Sequence, residues 1–371
     1  MESQVVAALA ASDYKQVSRL LKQWQSQEPK SPLLRLYAAQ LQERTNRLEA
    51  AEKNYLKLLR STTNSKLMSQ ARAGVQRIEQ KLEAQQQEAR SQQAAQKSAA
   101  LQQARSGAGS LETTILTIAA PKASNRKSAI AGLAQAFQLD AYSARMKVPN
   151  AGFRIARVIS WGEASYYADT LSKSQLPTFC TKAADIRGLQ TFQVEYFEAL
   201  EPEASVICKN SDGQLGKINF GWHEVNQRVR GQLPIFEQVI DLGNRGRLVH
   251  KEKVQDYAQV VDLHLPGRQI VLRQCDRLYK YAKSTALGNN NELNSRIQWN
   301  TLQTKIHEQV TQPGTDTLQD DFSRFGKGCL EFINLLPFIP ANLDIVRRAP
   351  SDWDLAFHLY SSLCFFSKRQ H

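Results

Sequence analysis

The chain has 371 residues, of which 42% are apolar and 22% charged, a composition typical of a folded protein of two or three domains. It contains no apolar run of about 18 residues, and its first residues carry charges at Glu2, Asp13 and Lys15, so we expect no membrane-spanning helix, no secretory signal and a cytoplasmic location. The five cysteines are dispersed without a Cys-x-x-Cys pair, which favours reduced, buried thiols over disulfides or a zinc site.

The net charge of +13 is concentrated in the first half of the chain. Residues 1–110 hold 17 Lys and Arg against 9 Asp and Glu, and residues 111–190 hold 10 against 5. Residues 191–371 hold 21 of each sign. Electrostatic attraction to an anionic partner is therefore expected in the first half.

Two predicted helices in residues 1–80 repeat one apolar face at an interval of 34 residues. The first opens at Asp13 and ends before Pro29, and the second covers Leu48–Arg60. The matching pairs are Val17 and Ala51, Leu21 and Tyr55, and Trp24 and Leu58. This pattern resembles the tetratricopeptide repeat family, whose helix pairs recur every 34 residues. The resemblance implies a short superhelical stack whose concave groove binds a peptide or helix of another protein. An ordinary helical bundle has a similar apolar spacing and is the alternative.

A third helix, Ser65–Gln80, is expected to cap this stack, and Tyr55 is expected to pack near Leu21 and Trp24. Beyond it, Gln and Ala make up 15 of the 24 residues from Lys81 to Ala104. Such a segment forms a solvated helix or a partly ordered linker, because it has too few large apolar residues for a core of its own. Ser106–Ser110 is predicted to be a flexible joint, so residues 81–110 form a spacer between domains.

Residues 111–190 predict a small α+β domain with the element order βααβαβ. The strands are Thr113–Ile118, Arg154–Ile159 and Pro177–Thr181, and the helices are Arg126–Gln138, Asp140–Met146 and Glu163–Leu171. Over about residues 111–185 this order resembles the C-terminal domain of the bacterial ribosomal stalk protein and the related Clp protease adaptor. The aspartate-rich loop by which that adaptor binds degrons is absent, so its activity does not carry over.

From residue 191 apolar residues recur at every second position, the spacing of β-strands. This pattern predicts a mostly antiparallel β domain over 191–312. The seven predicted strands are Phe192–Leu200, Ser205–Lys209, Gly216–Phe220, Ile235–Leu242, Ala258–Leu265, Gln269–Gln274 and Leu278–Ala282. A closing helix, about Leu293–Gln309, turns Ile297, Leu302 and Ile306 toward a core. By element count this resembles a small barrel or sandwich of the pleckstrin-homology-like kind.

Residues 313–371 predict a C-terminal helical extension that packs on the β domain. Pro337 and Pro340 interrupt it, and Ser351 with Asp354 starts a helix that runs to about Phe366. The whole chain is therefore predicted to be multidomain: an all-α repeat region, an α+β module, and a β barrel or sandwich with C-terminal helices.

No catalytic, cofactor-binding or metal-binding residue is predicted. The six histidines form no His-x-x-x-His pair, and the common hydrolase, P-loop and dinucleotide motifs are missing. Asp241, Asp262 and Asp276 flank or end predicted strands and are expected to be solvated rather than to form an acid–base cluster.

The strongest sign of a binding surface is a basic segment, residues 121–160, where Asp140 is the lone acidic residue. Lys122, Arg126 and Lys127 lie at a helix start, where positive charge opposes the helix dipole but backbone N–H groups also attract anions. Arg154 and Arg157, three residues apart on a strand, are expected to point to opposite faces. The predicted anion- or partner-binding residues are Lys122, Arg126, Lys127, Arg154 and Arg157, and the partner is RNA, DNA, an anionic membrane face or an acidic protein. A solvated basic face that aids solubility is the alternative.

These features favour a non-enzymatic adaptor that binds another protein through its helical repeats and serves in assembly or regulation. The layout is similar in style to cyanobacterial tetratricopeptide-repeat proteins. The alternative hypothesis is a nucleic-acid- or ribosome-associated factor that binds through residues 121–160.

Overall fold

Helices form the N-terminal part of the chain, and two β-sheets with their covering helices form the rest. The computed structural model describes residues 1–107, 109–242, 248–287, 294–310, 319–335, 343, 345 and 351–367. The chain divides into two units, Met1–Ala99 and Ala100–His371. Among the described helices, none combines the length and the apolar character needed to cross a lipid bilayer.

Five consecutive helices make up the N-terminal unit. They are α1 (Glu2–Ala10), α2 (Tyr14–Gln27), α3 (Pro32–Arg44), α4 (Leu48–Ser61) and α5 (Ser65–Arg105). As predicted, Asp13 caps α2, and its carboxylate accepts a hydrogen bond from the Gln16 N–H at 3.0 Å. Pro32 occupies the first turn of α3, where its missing N–H costs nothing.

The residues that recur at the 34-residue interval are all buried, but in two separate clusters. Val17, Leu21 and Trp24 pack with residues of α1 and with Leu34. The equivalent residues of α4 pack in a second cluster with residues of α3 and α5. The expectation that Tyr55 lies near Leu21 and Trp24 is therefore wrong, because α4 packs with α3 and α5 whereas α2 packs with α1 and Leu34.

Tyr55 is the centre of the second cluster and carries a polar network within it. Its hydroxyl donates to Glu43 Oε2 at 2.9 Å, and the Arg77 guanidinium donates to both Glu43 oxygens at 2.9 Å. Burial would raise the pKa of Glu43, but the bonds from Arg77 and Tyr55 hold it below its usual value. Gly74 lies against the Tyr55 ring, where a Cβ would come within 2.5 Å of Tyr55 Cζ. The network thus joins α3, α4 and α5.

Helix α5 continues far beyond its predicted end at Gln80 and includes the Gln/Ala-rich segment. The segment is a helix rather than a partly ordered linker because it contains no glycine, proline or β-branched residue that would end one. Its last residues belong to the second unit, where Leu101 packs on a hydrophobic cluster and Arg105 pairs with Glu163 at 2.6 Å. At the end of the predicted Ser106–Ser110 joint, Ser110 is buried, while Ala108 lies outside the described residues.

The first sheet has three antiparallel strands in the order β2-β1-β3. Its elements are β1 (Thr113–Ala119), α6 (Arg126–Phe137), α7 (Ala141–Lys147), β2 (Phe153–Ser160), α8 (Trp161–Lys173) and β3 (Thr178–Lys182), followed by α9 (Ala183–Gly188). The βααβαβ order predicted for residues 111–190 is confirmed. Leu116 and Ile118 pack against α6 and α8, whereas Ile115 faces the opposite side of the sheet.

The second sheet has six strands in the order β6-β5-β4-β9-β8-β7. They are β4 (Gln190–Ala199), β5 (Ala204–Lys209), β6 (Leu215–Phe220), β7 (Gln227–Leu242), β8 (Leu248–Leu265) and β9 (Ile270–Cys275). The predicted barrel is wrong: among the described strands the sheet is open, and β4 pairs with β9 in parallel.

The predicted seventh strand, Leu278–Ala282, is also wrong. The N–H groups of Leu278 and Tyr279 both bond to the Cys275 carbonyl in a tight turn, and a single 3₁₀ turn follows. Lys280 N–H then donates to the Glu195 carbonyl at 2.8 Å, so this segment crosses β4 instead of extending the sheet.

In the described part of the chain, three helices cover the second sheet: α10 (Ser295–Gln309), α11 (Gln319–Cys329) and α12 (Asp352–Ser367). In α10, Leu302 and Ile306 are buried as predicted, but Ile297 is 50% exposed and Trp299 takes the core position. Trp299, Leu302 and Ile306 follow the 3-and-4 spacing of one helix face, from which Ile297 is excluded. Pro337 and Pro340 lie outside the described residues.

Helix α12 lies between the two sheets, and every residue from Ala356 to Phe365 is buried. It contacts β3 of the first sheet and β7 of the second, and one hydrophobic cluster contains residues of both sheets. A helix that is apolar on all sides is stable only when it is surrounded by protein. The C-terminal helix is therefore a central part of this core.

A fully buried ion pair lies on the α12 side of the second sheet. Arg273 donates to both carboxylate oxygens of Asp262 at 2.9 and 2.7 Å, and both side chains have no solvent exposure. His358 Nδ1 lies 3.4 Å from Arg273 Nη2. The expectation that Asp262 is solvated is wrong, because Arg273 lies directly opposite it on β9. Asp276 is also mostly buried, with a raised pKa, and the side chain of Asp241 lies outside the described part.

All five cysteines are buried thiols, as the sequence predicts. Burial raises the pKa of Cys180 and Cys208 to about 11, so both stay protonated at neutral pH.

The Tyr55→Ala substitution is expected to destabilise the N-terminal unit by about 3–5 kcal/mol, because it empties the centre of a packed cluster. Leu56→Ala on the same helix is the control, since Leu56 is 39% exposed. Urea unfolding of the full chain, followed by helical circular dichroism, measures both. Equal effects of the two substitutions would contradict the described packing.

His358 is expected to make stability depend on pH. Burial, with a smaller contribution from Arg273, holds its pKa well below the ordinary value, so the folded protein keeps it neutral. Once the pH falls below about 6.5, the unfolded chain gains a proton here that the folded chain does not, and stability decreases. The unfolding free energy of His358→Asn, measured from pH 8 to pH 5, should fall less steeply than that of the wild type. Parallel curves would contradict this assignment.

Candidate functional site

The predicted basic residues differ in their surroundings: some bond to the backbone and others are exposed. Arg126 donates to the carbonyls of Pro149 at 3.0 Å and Val148 at 3.3 Å, and Arg154 donates to the Met146 carbonyl at 3.3 Å. Both arginines therefore bind the C-terminal end of α7, where carbonyl groups lack helical partners. Lys122 and Lys127 are exposed. The helix-start trio thus divides into one structural arginine and two solvated lysines.

Arg154 and Arg157 face the same side of the first sheet, contrary to the expectation from alternation. The register of β1 with β2 shifts between Leu116 and Thr117, so that Arg157 lies opposite Leu116 and Arg154 opposite Ile118. One extra residue in β2 makes a β-bulge, which reverses the alternation beyond it. The Arg157 guanidinium stacks 4.2 Å from the centroid of the Phe137 ring on this side.

A polar cavity of about 540 Å³ opens on the second sheet. Thr191, Gln193 and Glu195 line it from alternate positions of β4, and Lys209 lines it from the end of β5. The turn after β5 and the segment after β9 complete the wall with Asn210, Ser211, Gly213, Leu278 and Lys280, together with Leu343. We call it the β4 cavity.

Glu195 is the buried charge of the β4 cavity. Its side chain is 6% exposed, and the β4–β5 register shifts between Val194 and Tyr196, so it lies at a β-bulge. Lys209 Nζ lies 2.8 Å from Glu195 Oε1, and Lys280 Nζ contacts the other oxygen. Burial would raise the pKa of Glu195, but the two ammonium groups hold it below its usual value. The carboxylate is therefore ionised at neutral pH.

Two further polar groups in the wall have unmet hydrogen-bonding capacity. Thr191 Oγ1 and Gln193 Oε1 are buried and have no hydrogen-bond partner among the described residues. Thr191 is 6% exposed. A buried hydroxyl or carbonyl without a hydrogen-bond partner typically reduces the stability of a folded protein by about 1–3 kcal/mol. A partner that bonded to Thr191 Oγ1 and Gln193 Oε1 would remove this cost.

A second cavity, also about 540 Å³, lies between β7, β8 and α10. Its described lining is basic and amide-rich, with Arg228, Arg230, Gln259, Gln303 and His307. Arg228 donates to the Gln303 carbonyl at 3.1 Å, and Trp299 Nε1 donates to Gln259 Oε1 at 2.8 Å. In the described part of the chain, no group of three His, Cys, Asp or Glu side chains is placed to hold a metal ion.

Sequence reasoning missed the β4 cavity entirely. Its three charged residues, Glu195, Lys209 and Lys280, are far apart in the chain and meet through strand pairing and a turn. One signal was present: Thr191, Gln193 and Glu195 alternate with the apolar Phe192 and Val194. That alternation marks a polar face of β4 but does not show that the face is buried.

Comparisons with known proteins return no matching family model, no similar curated protein and no similar solved structure.

Arg126→Gln is expected to reduce stability by about 1–3 kcal/mol, because it removes charge-assisted bonds to two carbonyls at the end of α7. The double change Lys122→Gln and Lys127→Gln should alter stability by less than about 0.5 kcal/mol, since both side chains are exposed. Thermal unfolding of the two variants distinguishes these roles. If the double variant were the less stable one, the assignment of Arg126 as the structural residue would be incorrect.

Proposed function

We propose that the protein is a multidomain cytoplasmic adaptor whose N-terminal helices form a short tetratricopeptide-like stack that binds an acidic peptide or helix of a partner protein. The observation that carries the proposal is the burial of all three residue pairs related by 34 positions. A stack of 34-residue helix pairs requires equivalent residues to be buried at this interval in successive clusters.

A salt bridge between two helices of the N-terminal unit also supports a repeat of 34 residues. Glu43 in α3 and Arg77 in α5 are also 34 residues apart, and their side chains pair at 2.9 Å. In a stack of helix pairs, α3 and α5 are the first helices of successive repeats, and a stack of such repeats has a concave binding surface. We therefore assign partner binding to the surface that α1, α3 and α5 share.

The charge of this unit favours an acidic partner. Residues 1–99 hold 16 Lys and Arg against 9 Asp and Glu. Exposed basic residues occur on both helix sets, with Arg44 and Arg72 on α3 and α5 and Lys53 and Lys57 on α4. Complementary charge mainly raises the rate and specificity of association, so binding should weaken as salt increases.

The test compares two double variants in the full chain. Arg44→Gln with Arg72→Gln removes two exposed charges from α3 and α5, and Lys53→Gln with Lys57→Gln removes two from α4. Each protein is used to isolate its partner from nuclease-treated extract of the native cell, with the bound protein quantified by mass spectrometry. The first variant should lose most of the partner captured by the wild type, and the second should retain it.

Other outcomes overturn the proposal. Equal loss in both variants would move the binding surface away from α3 and α5. In a parallel capture from extract without nuclease, retention of RNA that is abolished by Lys122→Gln with Lys127→Gln, without any captured protein, would favour a nucleic-acid-associated factor that binds through residues 121–160.

A further inference from the structure

We infer that the β4 cavity binds a small anion that carries hydroxyl groups, with its charged group at Lys209 and Lys280 and a hydroxyl at Thr191 and Gln193. This site lies within the second unit and does not depend on the proposed role of the N-terminal helices.

The charges of the cavity favour an anion. Glu195 neutralises one of the two lysines, so the three ionised side chains together carry a charge of +1. The Lys209 and Lys280 side chains are 39% and 42% exposed, while Glu195 is almost fully buried beneath them. Each ammonium has three N–H donors, so each can keep its bond to Glu195 and still donate to an anion in the cavity.

The buried carboxylate also positions the lysines. Lysine side chains are long and flexible, and two like charges repel when nothing lies between them. Glu195 holds one ammonium on each of its oxygens, and the β-bulge fixes Glu195 itself. The two donors are thus arranged before a ligand arrives, which reduces the entropy lost on binding.

The hydroxyl component follows from the wall of the cavity. Gln193 Oε1 is an acceptor without a described donor, and Thr191 Oγ1 can both donate and accept. Rotation of the Thr191 and Gln193 side chains would turn Oγ1 and Oε1, which are both buried in this structure, toward the cavity. There a ligand hydroxyl donates to Gln193 and accepts from Thr191. An apolar ligand would leave both groups unsatisfied.

The size of the cavity fits a small metabolite. Its volume of about 540 Å³ lies within the range of ligand pockets. The anionic group can be a phosphate or a carboxylate, which share the same recognition by two lysines. Glycerol 3-phosphate and glycerate are therefore suitable probes, because both carry hydroxyls and they differ in the anionic group.

Binding of each probe to the full chain is measured by isothermal titration calorimetry at low salt. At least one probe should bind saturably at millimolar concentration, and the tighter one identifies the anionic group. Lys280→Gln and Lys209→Gln should each weaken it by about tenfold. Lys283→Gln is the matched control, since it removes an exposed lysine near Lys280 but outside the cavity lining, and it should bind as the wild type does.

Thr191→Val separates a ligand site from a structural one. It removes a buried hydroxyl without a partner while keeping the shape of the side chain, so the melting temperature of the unliganded protein should stay the same or rise. Its affinity for the probe should fall. A structural role for Thr191 would instead lower the melting temperature and leave binding unchanged.

Three results would overturn the inference: neither probe binds the wild type, Lys280→Gln and Lys209→Gln bind as tightly as Lys283→Gln, or Thr191→Val binds with wild-type affinity. Circular dichroism of every variant checks that a loss of binding is not a loss of fold.

Discussion

The architecture of the second unit depends on burying α12 between two sheets together with the charged pair of Arg273 and Asp262. Removing an ion pair from water costs several kcal/mol per charge unless the geometry compensates. Here the bidentate pair of Arg273 with Asp262 provides that geometry, and the Arg273 guanidinium also lies near the neutral His358 and the Phe357 ring. A turn further along α12, Ser361 meets His264 at 2.9 Å. These contacts fix the rotation of α12, since most of its other buried residues are apolar and do not select a single orientation.

The spacing of apolar residues and the turn and capping residues predicted most helices and strands of this fold. The prediction failed where contacts between distant segments determine the structure. The strands and helices of residues 111–190 were predicted within a few residues, because each has a clear period and ends at a cap or turn. The open strand order of the second sheet was not predicted, since nothing in the β4 or β9 sequence shows that these strands pair in parallel. The Leu278–Ala282 segment has a strand-like alternation, yet its backbone N–H groups bond to Cys275 and Glu195.

Two of the β-bulges explain why the residues of the candidate sites were harder to predict than the fold. A bulge adds one residue to a strand, so the side chains beyond it point to the opposite face of the sheet from the one that alternation predicts. The amino-acid composition does not indicate where a bulge occurs. In β2 it brings Arg154 and Arg157 to one side, where both serve the packing of helices. In β4 it buries Glu195 between lysines that the chain supplies from two distant segments. The charge density of residues 121–160 predicted a binding surface, but part of that charge, at Arg126, Arg154 and Arg157, makes contacts within the fold.

The position of α12 late in the sequence also has a kinetic consequence. During synthesis the chain emerges from its N-terminal end, so both sheets are complete before the helix that covers their facing surfaces exists. Until then Ile115, Phe179 and Val260 remain exposed to water or to other chains. Contacts between such distant segments slow folding and prolong the exposure of apolar surface. Production of this protein should therefore be sensitive to chaperone capacity and to any truncation that removes α12, whereas α1–α4, whose contacts are local, can fold as they emerge.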